Sequence, residues 1–341
     1  MKVVVFEVEE WERQAFDKLK GEHKFEFVEK PLSADNARRY ADADIISTFI
    51  YSDLGAEVLG QFEYLKLIAT RSTGFDHIDT ECCGEQQVTV CNVPTYGDTT
   101  VAEHVFGLLL AISHKLVEAA DRTRRGDFSL QGLRGFDLRG KTLGVIGTGN
   151  IGQCVIEIAN GFGMEVLAYD VVQDEKAAER LGFRYVEMDE LLSNSDIITL
   201  HVPANEKTHH LLSVEEFGKM KDGVVLINTA RGSVVDIQAL VRAFSEGKVA
   251  AAGLDVLPDE PAIREEAELL RSVYRKKYDL ETLLSNHILL RLRDVVITPH
   301  SAFNTREAIE RILSTTVENI AAFARSEPQN VVVEGDQGFD R

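Results

Sequence analysis

One segment, Gly-Thr-Gly-Asn-Ile-Gly at positions 147–152, constrains the fold of this chain more than any other part of the sequence. It follows an apolar run from Thr142 to Ile146 that is typical of a buried strand, and it opens a helical pattern that continues through Ile158. In such a strand, turn and helix, the glycines allow a tight turn, let backbone N–H groups approach a pyrophosphate, and permit close packing of the helix on the strand. The sequence therefore predicts a dinucleotide site that includes Gly147, Gly149, Asn150, Ile151 and Gly152.

The residue at the end of the next predicted strand indicates which dinucleotide is bound. Asp170 lies eighteen residues after Gly152, where a carboxylate accepts hydrogen bonds from a ribose diol. A 2'-phosphate would be repelled there, and the next two residues are Val171 and Val172 instead of arginine or lysine. We therefore expect NAD as the cofactor in preference to NADP.

Short β-branched runs alternate with longer helical patterns along the chain, which is typical of βαβ units and parallel sheets. The predicted strands are Lys2 to Phe6, Ala43 to Thr48, Leu65 to Thr70, Val88 to Val93, Thr142 to Gly147, Glu165 to Asp170, Asp196 to His201, Gly223 to Asn228, Val249 to Asp255 and Val295 to Thr298. At 341 residues the chain is about twice as long as a typical single domain. The sequence therefore predicts an α/β protein with two doubly wound parallel-sheet domains.

Two long helical patterns mark the expected domain boundaries. One helix is predicted to open at Thr100, which has the capping-box spacing with Glu103, and to end in the charged run at 122–126. A second is predicted from about Thr305 to Ala324, and because it has no sheet of its own we expect it to return to the first domain. The expected domains are residues 1–98 with 300–341, and residues 99–299.

The charge of the chain excludes several classes of partner. There are 37 basic and 56 acidic residues, which give a formal net charge of −19 at pH 7, so the surface repels polyanions. Nucleic acid and anionic membranes are therefore not expected as partners. An acidic small-molecule substrate would have to be attracted by a local cluster of positive charge.

The sequence also predicts a cytoplasmic protein. Acidic residues interrupt the apolar N-terminal run, and no stretch approaches the roughly 18 apolar residues of a membrane span. The four cysteines have no paired spacing, which indicates a reducing compartment. The adjacent pairs Cys82-Cys83 and His209-His210 lack the spacing of metal ligands, so no metal site is expected.

Several polar residues follow predicted strands of the second domain. Arg231 follows one strand and Asp255 ends another, whereas Glu260 and His300 come from segments that we expect to converge on the same edge. Ligands of open α/β sheets bind at the carboxyl ends of the strands. Taken singly, Arg231 fits a surface salt bridge, Asp255 a helix cap and His300 a buried imidazole. Their joint placement indicates an active site.

With these residues in place, the chain resembles the D-isomer-specific 2-hydroxyacid dehydrogenases over almost its whole length. The resemblance is carried by the segments Arg71 to Asp79, Gly147 to Gly152, Asn228 to Gly232, Gly253 to Val256, Asp259 to Pro261 and Thr298 to Phe303. It implies a Rossmann-type NAD-binding domain inserted into a flavodoxin-like substrate domain. It also implies a catalytic trio of Arg231, Glu260 and His300.

Reduction of a 2-oxo acid explains why these residue types are needed. The reaction needs a hydride for the carbonyl carbon, a proton for the oxygen, and a cation for the carboxylate. Arg231 offers a planar fork to the carboxylate and the keto oxygen. His300 is suited to exchange the proton because an imidazole changes its charge near working pH, and Glu260 would orient the imidazole and favour its protonated form.

The resemblance implies the remaining site residues as well. The backbone N–H groups of Thr73 and Gly74 are expected to bind the substrate. Tyr96 is expected to form a hydrogen bond with it, and Phe303 to shape an apolar pocket for its side chain. Further cofactor contacts are implied for Val202, Pro203, Thr208, Thr229, Ala230 and Asp255. The family is commonly dimeric through the helix at Thr100, so a homodimer is expected.

Within the family, Val93 to Tyr96 and Phe303 look most like the D-lactate dehydrogenase branch, so pyruvate and D-lactate are the expected substrate pair. Pockets distinguish 2-oxo acids that differ by a methylene by only about 1–3 kcal/mol. A reductase of the hydroxyisocaproate, hydroxypyruvate or glyoxylate type is therefore an alternative. A non-enzymatic NAD-sensing scaffold, similar to transcriptional corepressors, is another. The long stretch from Ala262 to Asp294 departs from many family members and is expected to be a surface elaboration.

Replacement of Glu260 tests its predicted role. Glu260→Gln removes the negative charge that favours the protonated imidazole, so the pH profile of pyruvate reduction should shift to lower pH with a modest loss of rate at the acidic end. Measurement of kcat/KM with NADH across the pH range detects the shift. An unchanged profile would remove Glu260 from the pair.

Overall fold

The computed structural model describes residues 1–258 and 280–335, and the chain divides into two compact units. The first unit consists of Met1–Tyr96 with Thr305–Arg341, and the second of Gly97–Asn304. Glu260 and most of the long stretch from Ala262 to Asp294 lie outside the described residues. The assignment of the first unit to substrate binding stays a prediction.

Strands and helices alternate along both units. The strands are β1 (Lys2–Val5), β2 (Lys24–Phe27), β3 (Ile45–Thr48), β4 (Leu67–Thr70), β5 (Thr89–Cys91), β6 (Thr142–Ile146), β7 (Glu165–Tyr169), β8 (Arg184–Tyr185), β9 (Ile197–Leu200), β10 (Val224–Asn228), β11 (Val249–Leu254), β12 (Val295–Ile297) and β13 (Val331–Val333). The α-helices of the described residues are α1 (Ala56–Leu59), α2 (Thr80–Glu85), α3 (Asp98–Ser113), α4 (Leu116–Arg124), α5 (Asn150–Gly161), α6 (Glu175–Leu181), α7 (Met188–Asn194), α8 (Val214–Lys219), α9 (Ile237–Ser245), α10 (Leu280–Leu289) and α11 (Arg306–Ala324). Short 3-10 helices cover Glu10–Leu19, Ala37–Tyr40 and Gly232–Val234. Each strand that the sequence predicted is present.

The first unit contains one sheet with the strand order β13-β5-β4-β3-β1-β2. Neighbouring strands are parallel except β13, which is antiparallel to β5. The order of β1 to β5 is the flavodoxin-like arrangement that the resemblance implied. The sequence did not predict β2, because Lys24–Phe27 is a short edge strand that alternates charged and aromatic residues.

The C-terminal part of the chain completes the first unit. Side chains of α11, among them Leu313, Val317 and Ile320, are buried in the same core as β1 and β4. The Thr305 side chain caps this helix by accepting a hydrogen bond from the Ala308 N–H (3.3 Å). After the helix the chain forms β13, because pairing with β5 gives its backbone groups hydrogen-bond partners.

The second unit contains a parallel sheet with the order β12-β11-β10-β9-β6-β7-β8. The chain starts in the middle with β6, proceeds outward to β8, and then returns to β9 on the other side of β6. This reversal between β6 and β9 is the Rossmann-type topological switch point, at which open α/β sheets bind ligands. Apolar side chains cover both faces of the sheet, so its strands are buried almost throughout.

The predicted long helix is in fact two helices. α3 ends at Ser113, Lys115 has a left-handed backbone with φ of +53°, and α4 begins at Leu116. The carbonyl of Ser113 accepts a hydrogen bond from the Phe136 N–H (2.9 Å), which satisfies it outside the helical ladder. The two helices are bent by 62°, and within the described ranges no single helix is long and apolar enough to cross a membrane.

The beginning of α3 also differs from the prediction. The helix starts at Asp98, and its N-cap residue is Gly97, which has no side chain to cap it. The predicted capping box of Thr100 and Glu103 is therefore wrong. Thr100 lies within the helix and is buried, so its β-branched side chain packs in the core.

α3 packs directly on β11. Gly253 has no side chain, and a Cβ atom there would lie 2.9 Å from Leu108 Cβ and 3.3 Å from Ile112 Cδ1. Leu108 and Ile112 are four residues apart, so they share one face of α3. The helix therefore rests on the backbone of β11, with its N-terminal turns toward the carboxyl end of that strand.

This contact makes Gly253 a stability determinant. Gly253→Ala places a methyl group against Leu108 and Ile227, and we expect the free energy of unfolding to fall by about 1–3 kcal/mol. Urea denaturation followed by circular dichroism measures the change. Gly161→Ala at the end of α5 is the matched control, because no described atom outside the local helix backbone lies within 4 Å of the added carbon, and it should change stability by less than about 1 kcal/mol. Equal stability of the two variants would contradict the close packing.

Candidate active site

The three glycines of the loop between β6 and α5 differ in the space around them. Gly147 has a φ of +96°, and a Cβ atom there would lie 2.5 Å from the carbonyl oxygen of His201. A Cβ atom on Gly152 would lie 2.1 Å from the carbonyl oxygen of Gly147. By contrast, no described atom lies within 4 Å of a Cβ atom on Gly149. The first and third glycines are therefore required by packing, and the second leaves open space beside the loop.

The N-terminus of α5 adjoins this open space. Gly149 is the N-cap residue, and no described side chain accepts a hydrogen bond from the first turn, which begins with Asn150 and Ile151. The N–H groups at the start of a helix carry a partial positive charge and bind phosphate groups. The loop and helix thus fit the pyrophosphate of a dinucleotide.

Asp170 follows β7 and is held against the glycine loop. Its Oδ2 accepts hydrogen bonds from the backbone N–H (2.7 Å) and the hydroxyl (3.0 Å) of Thr148, and its Oδ1 accepts one from the Val172 N–H (3.0 Å). The Thr148 hydroxyl also contacts the Tyr185 hydroxyl at 2.8 Å. These bonds fix the carboxylate beside the loop, where the sequence predicted a ribose contact.

The loop after β9 lies beside the glycine loop. Val202 Cγ1 would lie 3.1 Å from a Cβ atom on Gly147. The Thr208 hydroxyl donates to the Pro203 carbonyl (2.6 Å), which closes the loop on itself. Burial lowers the pKa of His201 to about 3, so this imidazole is neutral at physiological pH. The predicted cofactor contacts of Val202, Pro203 and Thr208 stay predictions.

At the end of β10, a buried asparagine holds the turn that carries Arg231. Asn228 Oδ1 accepts a hydrogen bond from the Ala230 N–H (3.0 Å), and Asn228 Nδ2 donates one to the Arg231 carbonyl (3.0 Å). The Arg231 guanidinium donates to the Ala230 carbonyl (2.8 Å). The side chain of Asn228 thus fixes the backbone of the turn after β10, and with it the position of the Arg231 Cα atom.

Thr229, in the same turn, carries an independent sign of a ligand. Its hydroxyl is buried and has no hydrogen-bond partner among the described residues. A buried polar group without a partner is costly, and such groups are normally satisfied by a ligand or water. This hydroxyl, the open space at Gly149 and the uncapped start of α5 together fit a bound dinucleotide.

Asp255, at the end of β11, is buried and gathers hydrogen bonds from the segment after β12. Its Oδ1 accepts from the Thr298 hydroxyl and from the Ser301 N–H (2.9 Å), and its Oδ2 accepts from the Ala302 N–H (2.9 Å). Burial raises the pKa of this carboxyl. The hydrogen bonds that the carboxylate accepts, one of them from His104, outweigh the effect of burial. The net pKa of Asp255 therefore lies below its usual range. Asp255 is therefore an ionised carboxylate that holds the loop, and its predicted contact with the carboxamide stays a prediction.

His300 lies in the middle of this loop. Its backbone is left-handed with a φ of +52°, and its N–H donates to the carbonyls of Asp255 and Thr298 (both 2.9 Å). A left-handed conformation costs a residue other than glycine about 1–3 kcal/mol and persists only where the surroundings enforce it. The bonds to Asp255 supply that enforcement.

The structure brings Arg231 and His300 to one edge of the sheet. They follow β10 and β12, which flank β11, so the two strand ends are about 10 Å apart by strand spacing. At Gly232 the turn after β10 packs tightly against the segment after β11. A Cβ atom there would lie 2.2 Å from the Leu257 carbonyl carbon and 2.4 Å from Pro258 N. A guanidinium and an imidazole at this edge can serve one small ligand. Glu260, the third member of the predicted trio, lies outside the described residues.

The first unit contains its own polar turn, after β4. The Thr73 hydroxyl donates to the Val93 carbonyl (2.7 Å), and the Asn92 side chain donates to the Thr73 carbonyl (2.8 Å). The Ser72 hydroxyl donates to the Gly74 carbonyl (2.6 Å). Among the described residues, the backbone N–H groups of Thr73 and Gly74 have no hydrogen-bond partner, so they are available to an anion.

The other two predicted substrate residues lie in different units. Tyr96 belongs to the first unit, and its carbonyl accepts a hydrogen bond from Arg311 Nε (2.7 Å). Phe303 belongs to the second unit and is half-buried just after the His300 loop. Their contacts with substrate stay predictions.

Two residues with clear structural roles were not predicted. Arg71 is fully buried, and its guanidinium donates to the carbonyls of Phe6 (2.8 Å) and Glu7 (2.6 Å), which ties β4 to the end of β1. His104 contacts Thr298 from α3. The spacing of His104 with Leu108 and Ile112, four and eight residues later, was the available signal, because it places the imidazole on the packed face of the helix.

Comparisons with known proteins agree with this geometry. Residues 106–302 match the family model for the D-isomer specific 2-hydroxyacid dehydrogenase, NAD binding domain, so NAD is the cofactor of this unit. A 2-hydroxyacid dehydrogenase homolog of Haemophilus influenzae is 36% identical over 327 residues, which cover 94% of this chain and 95% of the relative. A glyoxylate reductase of Thermococcus litoralis is 36% identical over 299 residues, covering 85% of this chain and 84% of the relative.

A solved structure shows the same likeness over nearly the full length. The crystal structure of D-lactate dehydrogenase from Aquifex aeolicus, complexed with NAD and lactic acid, is 37% identical and has a TM-score of 0.86. The match covers 98% of this chain and 100% of that chain. The two parallel-sheet units therefore share their architecture with a protein that binds this cofactor.

The glycine loop permits a test that separates binding from folding. Gly149→Ala adds a carbon in open space, so stability should be unchanged while the Kd for NADH rises by at least about tenfold. Gly152→Ala forces the carbon against a backbone oxygen and should lower the free energy of unfolding by about 1–3 kcal/mol. Fluorescence titration with NADH and urea denaturation measure the two effects. Wild-type NADH affinity in Gly149→Ala would contradict the binding role.

Proposed function

This chain belongs to the D-isomer-specific 2-hydroxyacid dehydrogenases, and on that premise we propose that it interconverts pyruvate and D-lactate with NAD. The placement of Arg231 and His300 at the ends of β10 and β12, on either side of β11, is the observation that carries the chemistry. Each residue is held by a buried polar residue, Asn228 and Asp255 respectively. The likeness to a D-lactate dehydrogenase over nearly the whole chain supports the choice of substrate.

Arg231 binds and polarises the 2-oxo acid. Its planar guanidinium forms paired hydrogen bonds with the carboxylate and the keto oxygen. Because the protein as a whole carries a net charge of −19, a local cation of this kind is needed to attract an anionic substrate. The free N–H groups of Thr73 and Gly74 bind the carboxylate, and Tyr96 donates a hydrogen bond to the substrate.

His300 exchanges the proton. In reduction its imidazolium donates to the developing alkoxide, and in oxidation the neutral imidazole removes the hydroxyl proton. Bound NADH supplies the hydride to the carbonyl carbon. Glu260 orients the imidazole and stabilises its charged form, and Phe303 bounds the pocket for the methyl group of pyruvate.

The comparison with a glyoxylate reductase supports a second candidate substrate. Glyoxylate lacks the methyl group of pyruvate, and one methyl group changes the transition-state free energy by only about 1–3 kcal/mol in an apolar pocket. The catalytic groups are the same for both acids. The two substrates therefore differ only in how the pocket receives the third carbon.

The proposed assembly is a homodimer. Phe128 and Leu130, in the loop after α4, have 78% and 84% of their surface exposed, and Leu116 and Val117 on α4 are also exposed. Exposed apolar side chains are often covered at protein interfaces. A second copy of the chain is the partner that the family resemblance favours.

The proposed compartment is the reducing cytoplasm. All four cysteines are free thiols. Burial raises the pKa of Cys83 and Cys91 to about 12, so both stay protonated and unreactive. Free thiols that stay protonated fit a compartment in which disulfides do not form.

A substrate panel tests the proposed reaction. With NADH, we expect kcat/KM to be highest for pyruvate among pyruvate, glyoxylate, hydroxypyruvate and 2-oxoisocaproate, and the product to be the D isomer by chiral chromatography. Arg231→Lys should lower kcat/KM by about a hundredfold, because an ammonium cannot make both hydrogen bonds of the guanidinium fork. A higher kcat/KM for another acid would reassign the substrate. NADH binding without turnover of any acid would favour an NAD-sensing scaffold.

The dimer is tested through its apolar surface. The double variant Phe128→Ser with Leu130→Ser should sediment as a monomer at micromolar concentration, because it removes the exposed apolar area that a partner would cover. Val214→Ser, which changes another exposed apolar residue of the same unit, is the control and should leave the assembly unchanged. A monomeric wild type would contradict the proposal.

A further inference from the structure

His104 lies on the face of α3 that rests on β11. It precedes Leu108 by four residues and Ile112 by eight, and both of those side chains pack at Gly253. His104 therefore lies on the same face of α3, one turn toward the N-terminus from Leu108. This places it near Asp255, where the chain leaves β11. There His104 Nε2 lies 3.0 Å from Thr298 Oγ1 and 3.4 Å from Asp255 Oδ1.

The hydrogen positions in this group follow from the number of protons available. The Thr298 hydroxyl has one proton, and it donates that proton to Asp255 Oδ1, which as an ionised carboxylate can only accept. Thr298 Oγ1 can therefore only accept from the imidazole. The ring nitrogen Nε2 of His104 must carry a hydrogen, so His104 begins a relay of donors that ends on Asp255.

Asp255 connects His104 and Thr298 to the loop that contains His300. Its carboxylate accepts the Ser301 and Ala302 N–H groups, and its carbonyl accepts the His300 N–H. The carboxylate is buried, so each donor that it loses leaves an oxygen that water does not readily satisfy. The left-handed backbone of His300 persists only while these bonds enforce it.

We infer that His104 is a positioning residue, which holds Asp255 and Thr298 in place and thereby fixes the loop that presents His300 to the substrate. The inference rests on the proposed function, because it takes His300 as the acid and base. We assign His104 no direct contact with the substrate or the cofactor.

Two substitutions separate the donor from the bulk of the side chain. His104→Leu keeps an apolar group of similar size and removes the donor, whereas His104→Gln keeps an N–H donor near the position of Nε2. His114→Leu is the matched control, because His114 is an exposed histidine at the C-cap of the same helix. If His104→Leu fails to fold, His104→Asn replaces it, since its amide stays polar but is too short to reach Thr298.

Hydrogen exchange on the protein without substrate measures the loop directly. We expect the amides of His300, Ser301 and Ala302 to exchange at least about tenfold faster in His104→Leu than in the wild type, because Thr298, which donates to the buried carboxylate, loses the group that holds it. The His104→Gln and His114→Leu variants should stay within about threefold of the wild type.

Steady-state kinetics with NADH and pyruvate supplies the second readout. In His104→Leu, kcat should fall by about tenfold to thirtyfold while KM changes by less than about threefold, because a displaced imidazole impairs proton transfer more than binding. His104→Gln should recover most of the rate.

The outcomes distinguish this inference from the proposed function. Unchanged exchange and kcat in His104→Leu overturn the inference, and so does a His104→Gln variant as impaired as His104→Leu, because packing alone would then explain the residue. A wild type that reduces none of the 2-oxo acids defeats the proposed function. In that case the exchange measurement alone still decides whether His104 holds the loop.

Discussion

The buried carboxylate of Asp255 organises the candidate active site. A carboxylate excluded from water must find its hydrogen-bond donors inside the protein, because an unsatisfied buried charge is costly. Here the donors come from the segment after β12 and, through Thr298, from His104 on α3. The need to satisfy one charge thus determines the path of a loop, and that path holds His300 in a conformation it would not otherwise adopt.

Glycines determine how closely the backbones of the second unit approach each other. Gly253 lets α3 rest on β11, Gly232 lets the Arg231 turn touch the segment after Asp255, and Gly152 lets α5 start against the glycine loop. At each position an added carbon would meet another atom at 2.9 Å or less. Gly149 differs, because the space beside it is open. The same residue type therefore serves close packing at three positions and leaves open space beside the loop at the fourth.

The charge distribution reconciles an acidic protein with an anionic substrate. A net charge of −19 repels pyruvate at long range, but screening limits that repulsion to about 8 Å at physiological ionic strength. Within that distance the local groups dominate, and in the second unit these are, on the proposed function, the Arg231 guanidinium and the positive end of α5. Binding would then depend on a few oriented donors at the ends of strands.

The sequence by itself determined the α/β class, the ten strands with clear apolar runs, the glycine loop and the positions of Arg231 and His300, because these depend on local patterns of residue type. It did not show the break at Lys115, which follows from a contact between Ser113 and Phe136. Nor did it show β2, β8 and β13, whose short runs gain their strand character only from pairing at or near sheet edges. The partners of His104 and Arg71 likewise came only from the tertiary structure, because Thr298 lies 194 residues from His104 and Phe6 lies 65 from Arg71. Local pattern specifies which groups a strand end carries, but only the folded chain decides which distant donors satisfy them.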